Sequence, residues 1–298
     1  MSNSKRGEIK FPCSISVIAP SGGGKTTFVK AFLRYYARQF QRIFILAGSC
    51  NFAEQYKDVK DIATVGQLHI DKIKGLIRNL REASKKTSNL PNYCLVLDDF
   101  IGITNLNNKI IEYLATQVRH VKLSVIFLAQ KVTSALPTTV RGNLSHVFII
   151  GNSRSSNFEA FYDDVKTDIP NAKFWADMCQ KRLASPYSFC HIDHQNFTDK
   201  SNHVLFFKGI TNSNFSWDEL KNEVRTVRPV IQDKMPDRSS SGFKVLRETS
   251  GNDRIEDSSF GREEDYVSGE DYFSEEDYYQ EASETEGDEE ERFFPKRF

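Results

Sequence analysis

The segment Ala19–Thr27 reads APSGGGKTT, three glycines followed by a lysine and two threonines. Glycines let a loop turn its successive N–H groups inward, and such a loop cradles phosphate. In this spacing Ser21, Gly22, Gly23, Gly24 and Lys25 line the cradle, and Thr26 and Thr27 open the element that follows. Lys25 is placed to reach the β- and γ-phosphates of ATP, and Thr26 to put its hydroxyl on Mg²⁺. The plainer alternative is a glycine-rich turn carrying a stray lysine. An apolar run ahead of the loop and a helical pattern behind it, whose dipole favours an anion, argue for the cradle.

A phosphate cradle needs an acid at the end of a neighbouring strand. NYCLVLDDF provides four apolar residues and then Asp98 and Asp99. Asp98 is expected to hold the Mg²⁺ shell, directly or through water, and Asp99 to orient and deprotonate the attacking water. LSVIFLAQ is a further apolar run ending in a polar amide, Gln130. It is either a γ-phosphate sensor or a strand-end glutamine bonded to its own loop. Transition-state charge calls for an arginine, often from a neighbouring subunit. Arg119, just ahead of the Gln130 strand, is the first choice, with Arg141 and Arg154 second; each could equally be a surface charge. Cys179, Cys190, His191 and His194 have a spacing that fits no compact zinc pattern, and they read as ordinary structural residues.

These residues must be held by strands and crossover helices. Short apolar runs at Ile15–Ala19, Ile43–Ala47, Cys94–Leu97, Val125–Ala129 and Val147–Ile150 read as strands, with Ser188–Ile192 and Val204–Phe207 as further candidates. Amphipathic stretches near Thr26–Phe40, Asp71–Lys86, Lys109–Val121 and Ala172–Leu183 read as helices, with a short one near Trp217–Val224. Near-continuous apolar strands imply a sheet covered on both faces. The expected fold is α/β, a P-loop NTPase with a largely parallel sheet.

The chain of 298 residues has no net charge at pH 7. That balance hides an asymmetry. From Gly251 to Phe298 there are 18 acidic and 5 basic residues, whereas the preceding part carries 22 acidic and 35 basic. A basic body suits a polyanion, though a solvated lysine-rich surface gives the same balance. After Arg228 the character changes to a linker and then an acidic segment too poor in apolar residues to order itself. EDY recurs there at Glu264–Tyr266, Glu270–Tyr272 and Glu276–Tyr278, a six-residue spacing that no fold requires. The organisation expected is an ATPase domain over 1–227 and a disordered tail over 228–298, used for docking or merely for solubility. Five scattered cysteines suggest a reducing compartment, and no apolar run approaches the ~20 residues of a membrane span.

Together the motifs resemble the FtsK/HerA superfamily, especially the viral DNA-packaging ATPases of the poxvirus type, with relatives in polintons and adintoviruses. The resemblance spans Phe11 to Phe161 and rests on the P-loop with its helix and second strand, on CLVLDDF, on RHVKLSVIFLAQ and on VRGNLSHVFII. It implies the additional-strand (RecA-like, ASCE) arrangement, with Gln130 as the sensor and Arg119 as the trans-acting arginine finger. Lys25 and Thr26 match the nucleotide and Mg²⁺ residues, and Asp98 the metal acid. Ala19 stands where the first glycine is usual, and Asp99 where cellular members carry glutamate. The implied function is an ATP-driven ring that packages double-stranded DNA into a capsid, meeting capsid or vertex proteins through the tail. It would work inside the host, in nucleus or cytoplasm, and in association with the virion. A helicase, a DNA-transfer ATPase and a nucleoside-type kinase are the alternatives.

Overall fold

The computed structural model describes residues 9–100, 108–151, 153–165, 169–185, 188–195 and 204–207. The expected helix near Trp217–Val224, the linker and the acidic tail lie outside these residues.

Eight strands form one sheet: β1 Ser14–Ile18, β2 Arg42–Ala47, β3 Thr64–Gln67, β4 Tyr93–Asp98, β5 Leu123–Ala129, β6 His146–Ile150, β7 Phe189–Asp193 and β8 Val204–Phe207. Their order is β3-β2-β4-β5-β1-β6-β7-β8. β3 through β6 run parallel, while β7 and β8 are antiparallel additions at one edge. β5 therefore lies between β1 and β4, the additional-strand arrangement expected.

The described helices are α1 Lys25–Tyr36, α2 Phe52–Gln55, α3 Ile70–Lys86, α4 Asn108–Thr116, α5 Val132–Ala135, α6 Thr138–Gly142, α7 Ser155–Glu159, α8 Tyr162–Val165 and α9 Ala172–Arg182. Both faces of the sheet are covered, because alternate residues of each strand enter different cores. In β4, Cys94 and Val96 join the core that holds α1, whereas Leu95 and Leu97 join the core of α3, α4 and α9. The helices read from periodicity bury matching stripes; α3 buries Ile73, Leu76, Ile77 and Leu80.

α1 is fixed through aromatic residues one turn apart. Phe28 packs tilted against Phe148 of β6 and edge-to-face against Phe189 of β7, with ring centroids at 4.9 and 5.1 Å, and Phe32 meets Tyr36 at 4.7 Å. Each fully buried ring of this kind stabilises by about 1.5–3 kcal/mol. The helix that follows the glycine loop is thus held rigidly under the sheet.

Three expectations are corrected. The helix expected to Phe40 ends at Tyr36 and continues as a 3₁₀ turn over Ala37–Gln39. The helix expected over Lys109–Val121 stops at Thr116, and Val118–Val121 forms a separate 3₁₀ turn ended by Lys122 at φ +57°. β3 had not been expected, since it is a four-residue edge strand with exposed Thr64 and Gln67 and a glycine within it.

Candidate nucleotide site

β1 delivers the chain to the carboxyl edge of the sheet, where the loop begins. Ala19 N donates to Ala129 O at 3.1 Å, so the loop starts tied to the end of β5. Gly22 and Gly24 take φ of +69° and +92°, a region that favours glycine. A Cβ on Gly23 would sit 3.0 Å from Ala19 Cβ and from Pro20 O. Gly24 is the N-cap of α1; it offers no side-chain cap, and the first turn contains no acid. The helix therefore opens with N–H groups free for an anion, at the positive end of its dipole.

Lys25 is half-buried, and its Nζ donates to Ala19 O at 2.7 Å and Pro20 O at 3.0 Å. Burial pulls its pKa down, while the charges of Asp98 and Asp99 pull it up. Asp98 closes β4, 9% exposed, in register with Ala47 of β2 and Leu128 of β5. Burial pushes its pKa above the usual carboxylate range, against the opposing effects of a Tyr56 hydrogen bond and the Lys25 charge. Asp99 follows at φ +53°, with its side chain exposed. This left-handed residue follows the end of β4 and leaves two adjacent carboxylates in different surroundings, one buried and one exposed.

Three further residues shape this edge without having been singled out from sequence. Tyr56, fully buried, donates from its hydroxyl to Asp98 Oδ2 at 2.7 Å. Gly48, just past β2, lies so close to the next strand that a Cβ would be 2.5 Å from the Asp99 carbonyl oxygen. Asn157 of α7, 2% exposed, accepts from Val132 N at 3.1 Å and donates to Gln130 O at 3.3 Å. Gln130 thus has a backbone clamped by Asn157 and a side chain exposed at the end of β5. Each of the three acts through a contact distant in sequence; the tyrosine within polar AEQYKD and the glycine ending ILAG carry no local mark of their partners.

The arginines divide between the two edges. Arg119 lies on the 3₁₀ turn before β5, at the amino edge, exposed. It lines a cleft of about 230 Å³ with Arg141, Asn143, Ser145, Asp164 and His194. Arg141 Nη2 donates to Thr138 Oγ1 at 3.0 Å. β5 runs about 20 Å, at roughly 3.3 Å per residue, between this cleft and Gln130. Arg119 and Arg141 are therefore remote from their own glycine loop. Arg154, exposed at the start of α7, follows β6 on the loop's own edge, next to Ser153, whose Oγ donates to Ile18 O at 3.3 Å.

Cys179 and Cys190 are buried and free. His146 and His191 are buried together, Nδ1 to Nε2 at 3.2 Å, and burial holds the His146 pKa down to about 3. Among the described residues no group of His, Cys, Asp or Glu has a metal-holding arrangement. No described helix is long and apolar enough to cross a membrane.

Residues 4–215 match the protein family described as Poxvirus A32 protein. Among solved structures, the genome packaging NTPase B204 from Sulfolobus turreted icosahedral virus 2 in complex with AMP aligns at 15% identity and a TM-score of 0.51. That alignment covers 68% of this chain and 100% of the other. The same NTPase with ATP-gammaS aligns at 16% identity and TM-score 0.48, covering 68% of this chain and 100% of that one. The pCW3 conjugation coupling protein TcpA aligns at 12% and 0.45, covering 61% and 57%. No curated protein sequence matches the chain.

Proposed function

The chain belongs to the Poxvirus A32 protein family, and we propose that it works as a ring-forming ATPase motor that packages viral double-stranded DNA into a capsid. The observation that carries this reading is the convergence, on one edge of an additional-strand sheet, of an uncapped helix N-terminus, Lys25 and the Asp98–Asp99 pair.

ATP is the substrate. Backbone N–H groups from Ser21 to Lys25 bind the β-phosphate, and Thr27 closes the loop side of the cradle. Lys25 exchanges its two loop carbonyls for the β- and γ-phosphate oxygens. Thr26 and Asp98 are the residues that would hold Mg²⁺, since Thr26 lies in the first turn of the helix after the glycine loop and Asp98 is a buried carboxylate whose charge acts on Lys25. Held there, the cation would supply charge neutralisation for phosphoryl transfer. Asp99, exposed and held outward by its left-handed backbone, accepts the proton of the attacking water. Gln130 orients that water, and its clamped backbone passes the change to α7 through Asn157.

Arg119 cannot serve its own loop from the opposite edge, so it acts on the nucleotide of a neighbouring subunit. That requirement is the physical reason for a ring. The basic body tracks the phosphate backbone without reading sequence. Residues 1–227 form the ATPase domain, and the acidic EDY tail over 228–298 docks to capsid or vertex proteins.

Phosphate release measured with no DNA, single-stranded DNA and duplex DNA tests this reading. Duplex DNA is expected to stimulate hydrolysis several-fold, and a chain ending at Arg228 is expected to keep that stimulation. Preference for single strands would indicate a helicase, and indifference to DNA would remove the motor reading. Loss of hydrolysis on truncation would contradict a docking role for the tail.

A further inference from the structure

The connection between β2 and β3, over residues 48–63, carries Tyr56 to the Asp98 carboxylate. Its position is over-determined. Asp58, two residues on, takes Lys30 Nζ at 2.9 Å, and Arg34 Nη2 donates to its Oδ2 at 3.2 Å and to its backbone carbonyl at 2.7 Å. Lys30 Nζ also lies 5.8 Å from the centre of the Tyr56 ring, and Val59 is fully buried. Both cations belong to α1, so this connection moves with the helix that begins at the phosphate loop.

We propose that Tyr56 is a positioning residue for the divalent-cation site, its hydroxyl holding the Asp98 carboxylate in one rotamer. The inference rests on the nucleotide reading above. An aspartate at a strand end has freely rotating carboxylate oxygens, and a cation shell needs one of them in a fixed place. Donation from Tyr56 to Oδ2 at 2.7 Å restricts that rotation. A purely packing role would be met equally well by phenylalanine, which would fill the same buried volume.

The full-length chain and Tyr56→Phe are compared by calorimetry with ATPγS, once with Mg²⁺ and once with EDTA. Binding of Mn²⁺ to the ATPγS complex is read separately by electron paramagnetic resonance. A hydrogen bond to a charged carboxylate is strong enough for an effect of about tenfold. Tyr56→Phe is expected to weaken ATPγS about tenfold in Mg²⁺ and less than about twofold in EDTA, with Mn²⁺ affinity down about tenfold. Equal weakening in both buffers, or unchanged Mn²⁺ affinity, would overturn the inference and leave the nucleotide reading standing. A wild-type chain whose ATPγS affinity ignores the metal would overturn both.

Discussion

Lys25→Ala is expected to lower ATP hydrolysis by about 10³-fold, equivalent to about 4 kcal/mol of transition-state stabilisation. Lys25 is the cation of the glycine loop, half-buried, with Asp98 and Asp99 the acids acting on its charge. In a low-dielectric site its charge would strengthen its hold on the γ-phosphate as negative charge shifts during transfer. The substitution should leave the fold intact. The side chain's recorded bonds go to Ala19 O and Pro20 O, and the anchoring of α1 depends on Phe28, Phe32 and Tyr36 instead. The check is steady-state phosphate release beside a thermal unfolding curve. A lost rate with an unchanged midpoint assigns Lys25 to chemistry; hydrolysis within about tenfold of wild type would remove it from the site.

The second large effect is expected at the opposite edge. Arg119→Ala should reduce hydrolysis by about 10³-fold while ATPγS affinity of the isolated subunit stays unchanged. The reason is geometric, because β5 separates Arg119 from its own phosphate loop by about 20 Å. Mixing makes the assignment sharper. Equal amounts of Arg119→Ala and Lys25→Ala would pair an intact loop with an intact neighbouring arginine at about a quarter of the interfaces, by random assembly of a ring. Partial recovery of hydrolysis is therefore expected from two inactive proteins. Recovery with Arg141→Ala in place of Arg119→Ala, and none with Arg119→Ala, would move the role to the second arginine of the same cleft.

How much of this was legible in the sequence depended on whether the determinant was local. APSGGGKTT, LVLDD and LAQ are contiguous, and their loop, strand ends and order along the chain follow from short-range pattern. The insertion of β5 between β1 and β4 was expected only through resemblance, since register between distant strands leaves no local mark. β3 escaped because an edge strand with one buried residue in four lacks the apolar run that betrays central strands. The break of α4 before Arg119 escaped as well. Its apolar periodicity continues through Val118 and Val121, and only Lys122 in a left-handed turn ends it. Tyr56, Gly48 and Asn157 are invisible for one shared reason: each matters through a partner more than twenty residues away.

On this reading hydrolysis moves the protein along double-stranded DNA, and the movement can be watched. It is tested most directly by displacement of a third-strand oligonucleotide, annealed as a triplex some distance from the end of a linear duplex. The full-length protein with ATP is expected to strip the third strand, with a delay that grows with the distance to be travelled. ATPγS in place of ATP, and Lys25→Ala with ATP, are expected to leave the triplex in place. Brisk duplex-stimulated hydrolysis with the triplex undisturbed would contradict the account, as would displacement that needs no ATP.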